Sequence, residues 1–145
     1  MPSKFGNAFM SLIIRSPLWP LVGKEMAVVT VTGRKSGNQI STPINVFELA
    51  GKYWVISSRS RSWWRNLIGG APAALHVSGK TIPVEGQVFE SVNEVKETLT
   101  AYLYKKPAVA RYLGVSLGLN LLPDQADLDR VAAERVMIHL VPTNE

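Results

Sequence analysis

Arg34, Lys35 and Ser36 lie between two glycines, Gly33 and Gly37, and bring a guanidinium, an ammonium and a hydroxyl to one tight turn. That set can hold a phosphate or a carboxylate, and successive turn amides can add an anion-binding concavity. Both glycines suit the left-handed or strained backbone of such a turn. For an isolated G-R-K-S-G the plain alternative is a solvated hairpin tip. A second polar, basic loop runs Ser57-Ser58-Arg59-Ser60-Arg61. Ser62 then reads as the N-cap of a short helix, Trp63–Ile68, stopped by Gly69 and Gly70. With no cysteine, disulfides, thiolate metal sites and cysteine nucleophiles are excluded. His76 and His139 are too few for a histidine-rich metal site, and a solvated or hydrogen-bonded role fits each. No catalytic triad or carboxylate pair stands out.

Charge is distributed unevenly. Residues 1–88 carry ten Lys/Arg against three Asp/Glu, whereas residues 89–145 carry six against eight. The cations are densest from Arg34 to Arg65, where six of them face only Glu48. Such a field favours an anionic ligand, a nucleic acid or a membrane surface. Nucleic acid is the weakest of the three: a binding barrel would interleave exposed aromatics with the cations on one sheet face, and here Trp63 and Trp64 fall on a short helix. No apolar run approaches the length of a membrane span and no secretory signal pattern opens the chain, so a cytoplasmic address is expected.

At 145 residues with 46% hydrophobic content, the sequence reads as one globular domain with a sizeable core. Residues 1–23 combine an amphipathic stripe (Phe5, Ala8, Phe9, Leu12, Ile13) with a proline-rich apolar segment, Pro17–Gly23. Peripheral membrane contact through this segment is a secondary expectation. Strands are expected at 26–32, 41–49, 53–57, 73–77 and 81–89, the last two joined by a three-residue loop, Ser78-Gly79-Lys80. Ser91 and Glu94 form a capping-box pattern that opens a helix at about Val92. Short helices follow at about 108–112 and 124–134, residues 113–122 stay unassigned, and a final strand covers 135–142. About six mostly antiparallel strands with peripheral helices imply a small α+β barrel. Its parts are the N-terminal segment 1–23, barrel strands 26–89, a helical part 92–134 and the closing strand 135–142.

Three pieces in order, Thr30-Val31-Thr32-Gly33-Arg34-Lys35-Ser36-Gly37, Thr42-Pro43 and Trp64-Arg65-Asn66-Leu67, resemble a known pattern. It is that of the deazaflavin-dependent nitroreductase and quinone-reductase family: a T-T-G-R-K-S-G turn, P-R-x-T-P, then a short helix containing W-x-x-N-L. The resemblance runs from about Val28 to Val88. It implies a split β-barrel like those of FMN-binding proteins, and as cofactor the 8-hydroxy-5-deazaflavin coenzyme F-420, with FMN second to it. It implies hydride transfer to a quinone or nitroaromatic acceptor. It also implies that Arg34, Lys35, Ser36 and Gly37 cradle the cofactor's phosphate end and that Thr42 and Pro43 line the adjoining wall. Ser57, Ser58 and Arg59 would approach the ring, and Trp64 and Asn66 would close the pocket. The protein would supply position, water exclusion and charge, leaving the chemistry to the cofactor.

The sequence departs from that pattern at Gln39 and Ile40, where the family commonly has Pro-Arg, and at Asn45, where active members often carry an aromatic residue. A non-catalytic carrier of flavin, haem or a lipid-like ligand on the same barrel is therefore the second reading. Trp63 and Trp64 are neighbours about 100° apart on a helix, so only one readily faces a pocket, and such a residue is more often core than cofactor wall. Arg59 and Arg61 are read evenly as solvated loop or as cofactor contacts. Split barrels of this kind often form homodimers.

Overall fold

The computed structural model describes residues 26–143. The expected amphipathic helix and proline-rich segment at the N-terminus lie outside the described residues.

The described residues form two compact units: 26–88 with 138–143, and Phe89–Met137. The first unit carries nearly all of a seven-stranded sheet, ordered β2-β1-β5-β6-β7-β4-β3. Its strands are β1 (Met26–Thr32), β2 (Gln39–Asn45), β3 (Phe47–Leu49), β4 (Lys52–Ser58), β5 (Ala71–Val77), β6 (Lys80–Phe89) and β7 (Arg135–Pro142). The fold is the expected α+β split barrel, here a half-barrel of seven antiparallel strands rather than about six. The extra strand arises because the expected strand 41–49 is broken at Val46 into β2 and β3.

That break explains the curl of the sheet. β2 and β3 are the two outer strands of the order, yet only Val46 separates them in sequence. One residue spans about 3.5 Å, so the two edges must approach each other, and β2 does contact β4. Ala27, Val28 and Val29 of β1 are all fully buried, and since Val28 and Val29 point to opposite faces, both faces of the strand are covered there. Pro43 is tolerated because β2 is an edge strand.

The β5–β6 connection is tighter than the sequence suggests. Val77 pairs with Lys80, leaving a two-residue loop in which Ser78 (φ 51°) and Gly79 (φ 76°) are both left-handed. This is the type I′ arrangement, whose twist matches that of the flanking strands.

A 3₁₀ turn, Trp63–Leu67, lies against β1 and β5. Its Leu67 is fully buried over Gly86 of β6, where an added Cβ would stand 2.8 Å from Leu67 Cδ1 and 3.3 Å from Leu140 Cδ2. Gly86 is thus needed for space.

In the second unit, α1 (Val92–Lys105) opens with the complete expected capping box. Ser91 Oγ accepts from the Glu94 amide, and Glu94 Oε1 accepts from the Ser91 amide. Next come α2 (Ala108–Leu113) and α3 (Gln125–Glu134), the latter capped by Asp124. Val95, Leu99, Leu103, Leu128, Val131 and Ala132 are buried at helical spacing along α1 and α3, and Lys96 and Asp129 add an ion pair at 2.6 Å. Among the described residues no helix is long and apolar enough to cross a membrane.

Candidate functional site

The β1–β2 hairpin carries the basic turn. Thr32 pairs with Gln39, so residues 33–38 form the loop. Gly37 takes a left-handed φ of 74°, as expected, but Gly33 does not. A Cβ at Gly33 would meet two side-chain ends, Ser36 Oγ at 2.8 Å and Ile40 Cδ1 at 3.3 Å, so both would have to turn aside for a larger residue.

Four of the six loop amides are already bonded, three within the turn and one to Asn66. The Gly33 amide donates to the Asn38 carbonyl (2.8 Å) and the Gly37 amide to the Gly33 carbonyl (2.8 Å). The Asn38 amide donates to Ser36 Oγ (3.0 Å), and the Arg34 amide to Asn66 Oδ1 (3.0 Å). The Lys35 and Ser36 amides have no acceptor among the described residues. The anion-holding capacity of the turn is therefore two adjacent amides, the Ser36 hydroxyl as a donor, and the exposed Arg34 and Lys35 side chains. Neither cation has a carboxylate partner among the described residues. This donor set is compact and doubly cationic, chemistry that can accept a phosphodiester.

Asn66 is the residue that holds it. While Oδ1 takes the Arg34 amide, Nδ2 donates to the Trp63 carbonyl (3.1 Å). The Trp63 indole in turn donates to Ser57 Oγ (3.2 Å), and the Trp64 indole to the Ser58 carbonyl (3.2 Å). A continuous hydrogen-bonded path therefore runs from the end of β4, through the 3₁₀ turn, to the basic hairpin. Ser62 is the N-cap residue, as expected, and its carbonyl accepts from the Arg65 amide (3.1 Å), but its side chain makes no capping bond and the indole anchors tie the turn to β4.

The remaining expected residues divide by position. Trp64 is 1% exposed, with the Arg65 guanidinium 4.7 Å from its ring centroid. Trp63 is buried as well, so both indoles support the turn from beneath. Ser57 is buried, Ser58 half-buried, and the Ser58 and Ser60 hydroxyls are 2.9 Å apart. Arg59 and Arg61 are half-buried, and burial pulls the Arg61 guanidinium below its ordinary pKa. Thr42 is buried on the core face of β2, and its neighbour Pro43 takes the opposite face, so the two side chains do not share one wall. Gln39 and Ile40, at the departure from the family pattern, are exposed beside the turn.

Sequence reasoning missed two features. The Arg34 guanidinium passes by Gly69 (3.9 Å from where its Cβ would be), and Glu85 Oε2 stands 3.2 Å from the equivalent point on Gly70. The positive φ of both glycines lets the 3₁₀ turn end there without side chains in the way. The second is a polar ladder over four strands: Ser41 Oγ to Thr30 Oγ1 (2.9 Å), Thr30 Oγ1 to His76 Nε2 (3.3 Å), and His76 Nδ1 to Thr81 Oγ1 (2.7 Å). Strand register brings these residues together, and only the pairing, invisible in sequence, could have found them. His139 is hydrogen-bonded too, to Gln87 Oε1 (3.2 Å), with Trp54 packed edge-on at 5.2 Å.

Among solved structures, the haem-storage protein HutZ of Vibrio cholerae aligns with a TM-score of 0.54 at 11% identity, covering 91% of this chain and 87% of its own. A Listeria innocua protein assigned as a pyridoxamine 5′-phosphate oxidase aligns at TM-score 0.50 and 10% identity, covering 88% and 90%. A protein described as a domain-swapped dimer aligns at TM-score 0.50 and 22% identity, covering 80% of each chain. These likenesses establish the fold alone. No curated protein matches the sequence. Residues 18–113, which include the basic turn, the 3₁₀ turn and the path between them, match the F-420H(2)-dependent quinone reductase family, and the chain belongs to that family.

Proposed function

We propose that the protein is a reductase that binds reduced coenzyme F-420 and delivers its hydride to a quinone- or nitroaromatic-type acceptor. The observation that carries this reading is the pre-shaped cationic turn, Arg34–Gly37, clamped by Asn66 within a chain of this family. Arg34 and Lys35 would hold the cofactor's phosphodiester by charge-assisted hydrogen bonds, and the Lys35 and Ser36 amides would orient it. Ser57, Ser58 and Arg59 would lie toward the ring, and of the Thr42–Pro43 pair only one side chain could line the adjoining wall, since the two take opposite faces of β2. The cofactor supplies the hydride chemistry; the chain supplies position and excludes water. Trp64 and Asn66 act in this scheme as supports of the turn.

A second reading, binding without turnover, is favoured by one observation. Ile40 is 38% exposed beside the turn, where the family pattern places an arginine. Mixing the purified protein with reduced F-420 and menadione and following cofactor oxidation separates the two. Saturable, protein-dependent oxidation supports the reductase. Tight F-420 binding with no oxidation above the uncatalysed rate assigns a carrier. Homodimer formation, as described for one structural neighbour, belongs to the same proposal and is read from sedimentation.

A further inference from the structure

We propose that the turn Ser58–Arg61, with Arg61 as its main donor, is a subsite for a carboxylate, so that the favoured hydride acceptor is a quinone or nitroaromatic bearing an acid group. The inference rests on the reductase reading, which lays this turn toward the cofactor ring, where the acceptor must also lie.

Arg61 is half-buried, and its guanidinium has neither a carboxylate nor a hydrogen-bond acceptor among the described residues. Withdrawing a charge from water without a partner is costly. Burial does pull this guanidinium below its ordinary pKa. A half-buried cation with no counter-ion of its own, on a loop that belongs to the candidate site, is matched to an anion carried by a ligand.

Two short hydrogen-bonded turns hold the cations together. The Arg61 amide donates to the Ser58 carbonyl (3.2 Å) and the Arg65 amide to the Ser62 carbonyl (3.1 Å), so Arg59, Arg61 and Arg65 stand on consecutive tight turns. Arg65 is committed to the Trp64 ring, 4.7 Å from its centroid, and adds charge alone. The Ser58 carbonyl is already taken, by the Arg61 amide and the Trp64 indole. The Ser58 and Ser60 hydroxyls share one hydrogen bond at 2.9 Å, and the Ser60 amide donates to Ser58 Oγ (3.3 Å). Whichever hydroxyl donates to the other, one of their two protons is left for a ligand. The turn therefore offers donors and positive charge.

Acid is placed elsewhere. No Asp or Glu lies between Glu48 and Glu85 in sequence. Glu48 sits on β3 across from Tyr53, and Glu85 stands beside Gly70, beyond the end of the 3₁₀ turn. The phosphodiester has the Arg34–Gly37 turn, so a second anion here belongs to the other reactant. A planar guanidinium fork matches the two oxygens of a carboxylate, and the hydroxyl supplies a further donor. The acid group takes no part in the chemistry. In a nitroaromatic acceptor the nitro group takes a hydride and a proton from reduced F-420 and becomes nitroso with loss of water, while the carboxylate stays anionic.

The test compares para-nitrobenzoate with its neutral isostere para-nitrobenzamide as acceptors, in the wild type and in Arg61→Gln. Wild-type kcat/KM should favour the acid by about tenfold or more, and added salt should erode the preference. In Arg61→Gln the preference should shrink to about twofold or less, and Arg61→Lys, which keeps the charge without the fork, should retain part of it. Because glutamine removes a half-buried charge, that variant should unfold at or above the wild-type temperature. A Tm several degrees lower assigns Arg61 a structural role and overturns the proposal. Equal kcat/KM for the two acceptors in the wild type, or a preference that survives in folded Arg61→Gln, also overturns it and leaves the reductase reading standing. Calorimetric titration of both compounds into the protein, with and without oxidised F-420, reads the subsite without turnover. Tighter binding of the acid that Arg61→Gln abolishes, with no oxidation of reduced F-420 by any acceptor, upholds the carboxylate subsite and refutes the reductase.

Discussion

Replacing Asn66 with alanine isolates the link between the 3₁₀ turn and the basic hairpin. Two hydrogen bonds vanish: Arg34 N–H to Oδ1 at 3.0 Å and Nδ2 to the Trp63 carbonyl at 3.1 Å. The first is exposed, so water takes over the amide and the loss falls at the low end of the usual range of about 0.5–1.5 kcal/mol. The second is partly buried and costs more, giving about 1–2 kcal/mol in all. For a domain of this size that lowers Tm by roughly 3–6 °C. Stability alone would not prove the clamp, so amide hydrogen exchange is the sharper assay. In Asn66→Ala the Arg34 amide should lose protection while the Gly33 amide, bonded within the hairpin to Asn38, keeps most of its own. Asn66→Asp retains an oxygen for the Arg34 amide but no donor for Trp63, so it should preserve Arg34 protection while still losing stability. Unchanged Arg34 exchange in Asn66→Ala, or equal loss in both variants, refutes the reasoning.

Further predictions follow from the core and from titration. Gly86→Ala places a methyl group 2.8 Å from Leu67 Cδ1 in a fully buried seat and should cost about 1–3 kcal/mol by chemical denaturation. A loss below about 0.5 kcal/mol would mean the 3₁₀ turn shifts freely on the sheet. His139 titrates below the ordinary imidazole value of 6.5, first through burial and second through Lys52. The unfolded chain therefore takes up the proton before the folded one. Stability contributed by neutral His139 is present above pH 6.5 and declines as pH falls through that value toward the folded pKa. Thermal unfolding from pH 7.5 down to pH 5 should show a shallower loss for His139→Gln than for the wild type, and parallel curves would contradict this.

The strands and capped helices were legible because they rest on local signals. Alternation in Val136, Ile138 and Leu140 marked β7 at its observed bounds, and Ser91 with Glu94 marked the start of α1. What escaped depends on pairing and space. The break at Val46 follows from the sheet closing on itself, and the two-residue loop at Ser78-Gly79 from the register of Val77 with Lys80. The backbone at Gly33 does not need glycine, since its φ is not left-handed; what a larger residue would displace there are the side-chain ends of Ser36 and Ile40. The site was legible as a cluster of residue types. Its internal order was not, because Asn66 reaches across 32 positions to the Arg34 amide and nothing in the local sequence announces that bond. Residues 113–122 resisted assignment since their tip obeys neither periodicity.

The central claim is that the Arg34–Gly37 turn holds the phosphodiester of F-420, and the most direct measurement is the dissociation constant of the oxidised coenzyme. Titration followed by cofactor fluorescence should saturate for the wild type. It should weaken by at least about tenfold for Arg34→Ala/Lys35→Ala, with each exposed charge-assisted contact taken below the usual range of about 1.5–3 kcal/mol. The wild-type affinity should also fall with added salt, and the variant's should respond less. Equal affinity and equal salt dependence for the two proteins would contradict the account.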